Sequence, residues 1–129
     1  MPHGAAQLLR DFGAYDLEGR VDIYFHEQLV DSVLEIARSN SWNYHLVEQI
    51  VDGILPTHPA DAIPLCKQQA ESIMDAGKAQ IYRHAAKWLQ KARDASMLAG
   101  RGDEWLHYRN RLLQVHGRKY KLVPILNGL

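Results

Sequence analysis

Apolar residues along this chain recur at helical spacing, and no run alternates with period two for long enough to make a convincing strand. That period predicts an all-α fold in which helices bury their apolar stripes against one another. With 129 residues, 47% hydrophobic and 23% charged, the chain has the size of one domain. It is apolar enough to fill a core without disulfides or metals. A single helical domain over residues 1–129 is therefore expected.

Start and stop signals divide the chain into segments. Asp16 can cap one helix that carries Val21, Tyr24, Phe25, Leu29, Val33, Leu34, Ile36 and Ala37 inward and ends at Ser39-Asn40-Ser41. A shorter helix runs from Trp42 to Ile54, stopped by Leu55-Pro56-Thr57. The next opens after Thr57 or His58, with Pro59 in its first turn, and stops at Gly77. Pro64 fits it only if the helix begins near Asp61 or kinks. The clearest helix spans Lys78 to Ala99 and ends at Gly100-Arg101-Gly102. Asp103 then caps Glu104 to His116, and Lys119 to Leu126 closes the chain.

Short turns between helices are how antiparallel helical hairpins are written. The pattern Tyr82-x2-Ala85-x3-Leu89-x2-Ala92 is similar to the second helix of a tetratricopeptide repeat, where small residues let neighbouring helices approach closely. The preceding helix offers Gln69, Ser72, Ile73 and Ala76 as looser equivalents. The expected architecture is a stack of antiparallel helical hairpins, tetratricopeptide-like, winding as a right-handed superhelical repeat.

The final third extends that pattern: Tyr82-x2-Ala85-Ala86-x-Trp88-Leu89-x-Lys91-Ala92-Arg93, then Gly100, Glu104-Trp105-x2-Tyr108, and His116-x-Arg118-Lys119-Tyr120-Lys121-Leu122-x-Pro124-x-Leu126. It resembles the carboxy-terminal helical region of bacterial SWIM zinc-finger proteins. The resemblance covers the middle of the chain loosely and residues 1–40 hardly at all. It implies a helical-repeat module carried by a longer polypeptide that holds a zinc finger elsewhere. The finger's Cys-x-Cys and Cys-x-His ligand pairs cannot come from a chain whose only cysteine is Cys66, so no zinc ligand is carried over. The start inside helix-like sequence, Ala5-Ala6-Gln7-Leu8-Leu9, fits a piece of something longer.

Charge is segregated although its total is zero. Residues 1–64 hold three basic and ten acidic groups, a net charge of −7, and residues 65–129 hold twelve and five, a net charge of +7. Such asymmetry bears on association and not on fold. The basic carboxy-terminal segment, Arg109, Arg111, Arg118, Lys119 and Lys121 with Tyr120 interleaved, is the candidate surface for a polyanion or a partner.

Catalytic chemistry finds no set of residues. The histidines His3, His26, His45, His58, His84, His107 and His116 include no pair spaced by four, and His26-Glu27 is half of a zinc-protease motif with Val30 in place of the second histidine. Cys66 lies in an apolar helix segment and reads as a small core residue. Gly100-Arg101-Gly102 is a helix stop, too short for a phosphate loop, and Asp103-Glu104 is an acidic helix start. Trp42, Trp88 and Trp105 each read as packing anchors, and should one be exposed it is Trp42 with Tyr44, which follow a polar turn.

The sequence thus predicts a non-enzymatic protein-interaction or scaffold module without cofactor or metal, with a protein partner or a second copy of itself. A nucleic-acid-binding accessory domain built on the basic segment is the alternative. No apolar stretch reaches the length of a membrane span. The lone cysteine agrees with a reducing compartment, and the cytoplasm is expected.

Overall fold

In the computed structural model the described residues are 17–129, and all their regular structure is helical. The expected Asp16 cap, His3 and the start at Ala5 lie outside them. The helices are α1 (Leu17–His26), α2 (Val30–Ser39), α3 (Tyr44–Ile54), α4 (Pro59–Ala76), α5 (Tyr82–Leu98), α6 (Gly102–Val115) and α7 (Val123–Asn127), with a 3-10 turn over Ala79–Ile81. The chain divides into two compact units at Ile54 and Leu55.

In the first unit α1, α2 and α3 each pack on the other two. The single helix expected from Asp16 to Ser39 is two. Gln28 takes the left-handed conformation (φ 59°), its amide bonds the Phe25 carbonyl at 3.0 Å and the Leu29 amide reaches back to Tyr24 at 2.8 Å. This pair of bonds is the Schellman motif that ends helices. Helix α3 starts later than Trp42 because the Asn43 side chain accepts the Leu46 amide at 3.3 Å, an N-cap that leaves Trp42 outside. Gly53 on α3 lets Phe25 approach, since a Cβ there would stand 2.4 Å from the ring. Val21, Val33, Leu46, Val47, Ile50 and Val51 make the sealed centre.

In the second unit α4 and α5 share the most extensive contact, joined through Gly77–Ile81. Small buried residues recur at four-residue spacing on α4 (Ala62, Cys66, Ala70) and on α5 at Ala85, Ala92 and Ser96. They allow close approach of helix axes, and Ser96 satisfies its hydroxyl on the Ala92 carbonyl at 2.7 Å. Tyr82, Ala85, Leu89 and Ala92 are all buried, as their pattern predicts. Helix α4 begins at Pro59 and continues through Pro64, whose ring is exposed in the second turn.

Asp103 is not the cap of α6. The helix starts at Gly102 after Arg101, placing Asp103 and Glu104 inside the first turn, where carboxylates still face the positive helix end. Gly100 (φ 71°) closes α5 by the same motif as Gln28, with Arg101 bonding Ser96 at 2.8 Å. Helix α7 starts at Val123, later than Lys119, and seals Leu122 and Leu126 against α5 and α6.

Candidate functional site

Spacing on α4 sets the charged features of the second unit. Lys67, Glu71 and Asp75 fall one turn apart, so they form a polar stripe. Tyr108 on α6 meets it: Lys67 Nζ lies 4.3 Å from the centroid of its ring and Arg111 Cζ lies 5.4 Å away. Both are cation–π distances. Trp105 stands one turn before Tyr108, ring centroids 6.0 Å apart.

The electrostatics follow from this packing. Burial holds the Lys67 ammonium below its ordinary pKa, and the nearby Arg111 and Arg101 guanidinium groups lower it further. Burial likewise pushes the Tyr108 hydroxyl up, reinforced by the Glu71 carboxylate. Arg101 bonds Glu104, and that bond holds the carboxyl below its usual range.

The basic segment is not one uniform patch. Arg109 is half-buried, and its Nε finds no acceptor among the described residues. Arg111 is exposed over Tyr108, and Arg118 and Lys121 are exposed in and after the turn that follows α6. Tyr120 is 78% exposed. Lys119 is half-buried: its Nζ donates to the Met74 carbonyl at 2.8 Å and approaches His116 Nδ1 at 2.9 Å. An ammonium can only donate, so Nδ1 is the acceptor. Burial, and after it the Lys119 ammonium, hold the His116 imidazole below its ordinary pKa.

In the first unit Trp42 is 76% and Tyr44 54% exposed, so Trp42 is not the packing anchor expected of it and is the exposed one of the three tryptophans, and the Tyr44 ring lies 4.2 Å from that of His45. A polar groove of about 280 Å³ runs past Arg20, Tyr24, Ser32, Glu35, Ser39 and Asn40. The other described histidines, His26, His45, His58, His84 and His107, are exposed. Among the described residues no three His, Cys, Asp or Glu side chains gather as metal ligands. Cys66 is fully buried.

Lys67 and Tyr108 were not legible as a pair from sequence. The four-residue spacing of Lys67, Glu71 and Asp75 is the signal that marks a polar face on α4, but it does not say which helix lies against it. No helix among the described residues is long and apolar enough to cross a membrane. Compared with protein-family models, with curated proteins and with solved structures, the sequence matches none.

Proposed function

We propose that this is a non-enzymatic helical-repeat module, built of stacked tetratricopeptide-like hairpins, that binds another protein in the cytoplasm. The observation that carries the reading is the exposure of Trp42 beside Tyr44 on the connection into α3. Aromatic side chains of this size dominate interface energetics when a partner covers them. The resemblance of Tyr82 to Leu126 to the helical region of SWIM proteins supports an accessory module of a larger assembly.

A photoreactive amino acid placed at position 42 of the full chain, with exposed His84 as the control position, tests it in the native cell. A discrete cross-linked protein from position 42 and none from position 84 is the expected result. Equal, diffuse labelling from both sinks the reading.

A second reading, nucleic-acid binding, is favoured by Tyr120 standing exposed among Arg118 and Lys121. Labelled single- and double-stranded DNA and RNA would then bind with an affinity that falls steeply with salt. Absence of binding at low salt removes it.

A further inference from the structure

We propose that the basic face of the second unit docks the acidic first unit of a second copy of this chain, so that copies associate head to tail. The proposal rests on the protein-binding reading and names the partner. Its ground is charge complementarity that coincides with the unit boundary at Ile54 and Leu55. The described residues 17–54 carry seven acidic and two basic groups, a net charge of −5, whereas residues 55–129 carry six acidic and twelve basic groups, a net charge of +6.

Each charge set is presented outward. Glu18 and Asp22 lie one turn apart on α1, Asp31 and Glu35 one turn apart on α2, and all four are exposed. On the second unit Arg111, Arg118 and Lys121 are exposed, and none forms an ion pair among the described residues. Lys67 adds charge above Tyr108, its Nζ 4.3 Å from the ring centroid. Val115 and Tyr120, both exposed on the same stretch, supply apolar area that charge alone would not. Opposed potentials of this kind steer encounter and suppress wrong pairings. Each such contact pairs unlike faces, the basic one of one copy with the acidic one of another.

Sedimentation of the full chain decides it. Association rising with protein concentration is expected at about 50 mM salt, weakened about tenfold or more at about 500 mM, where exposed charges are screened. One variant carries Arg111→Glu, Arg118→Glu and Lys121→Glu, and another carries Asp31→Lys and Glu35→Lys. Each alone is expected to be a monomer. Mixed, they form a heterodimer, because the first variant keeps the acidic first unit and the second keeps the basic second unit. Should either reversal lose its circular-dichroism melt, Arg118→Gln with Lys121→Gln carries the test, with weaker association expected. A wild-type monomer at low salt, variants that assemble like the wild type, or a mixture without heterodimer overturns the proposal. A wild-type monomer in sedimentation together with a discrete cross-linked protein from position 42 that is not a second copy would sink this proposal and leave the protein-binding reading standing.

Discussion

Lys119 donates its ammonium to the carbonyl oxygen of Met74, 45 residues earlier in the chain, at 2.8 Å. Met74 lies in the last turn of α4, where carbonyls lack helical partners and the helix dipole is negative. A cation held there ties the turn after α6 to the end of α4 and satisfies a carbonyl that also accepts the Gly77 amide at 3.1 Å. Lys119→Met, which keeps the apolar stem, is expected to cost about 1–2 kcal/mol. Urea unfolding of the two proteins measures it, and an unchanged midpoint would show that the bond contributes nothing.

The same lysine makes His116 a source of acid sensitivity. His116 is 4% exposed, and its Nδ1 accepts from Lys119. Burial and that ammonium lower its pKa, while Asp75 and Glu71 on α4 pull the other way more weakly. The folded pKa therefore lies below the unfolded value of about 6.5. Above that value the imidazole is neutral in both states and costs nothing. As pH falls below it the unfolded chain takes up a proton that the fold resists, so stability is lost. Melting temperatures between about pH 7.5 and pH 5 should fall less for His116→Gln than for the wild type. Parallel curves would refute the assignment.

Two helix ends of identical design read very differently in the sequence. At Gly100 the left-handed position is filled by glycine and the stop is legible. At Gln28 the same backbone motif carries a residue with a Cβ, and apolar periodicity runs through it without interruption. A side chain in this conformation costs about 1 kcal/mol. Gln28→Gly is accordingly expected to stabilise the first unit by roughly 0.5–1 kcal/mol, and Gly100→Gln to destabilise the second by about as much. Denaturant midpoints moving in opposite directions would bear this out.

That contrast explains what was readable more widely. The helical class and the buried face Tyr82, Ala85, Leu89 and Ala92 followed from spacing, because one amphipathic stripe specifies its own period. The polar turn before Trp42 and Tyr44 singled them out among the tryptophan sites, but helical spacing alone read Trp42 as a packing anchor. Tertiary partners were hidden: nothing near Lys119 announces Met74, and Tyr108 carries no mark that Lys67 lies over its ring. The basic segment looked uniform because spacing counts charges, whereas packing buries part of Arg109 and engages Lys119.

The tryptophans provide the sharpest separation between holding the fold and meeting a partner. Trp105 is 1% exposed, and its indole Nε1 finds no acceptor among the described residues, so its contribution is volume and contact, not hydrogen bonding. Trp105→Ala should cost about 3–5 kcal/mol through the cavity it leaves. Trp42 stands mostly in solvent, and Trp42→Ala should change stability by less than about 0.5 kcal/mol. Under the proposed function that silent substitution is the one that loses the partner. A Trp42→Ala protein that melts like the wild type yet no longer forms the complex identified by cross-linking would separate the two roles. A large loss of stability at position 42 would instead make Trp42 part of the core and remove the observation on which the binding reading stands.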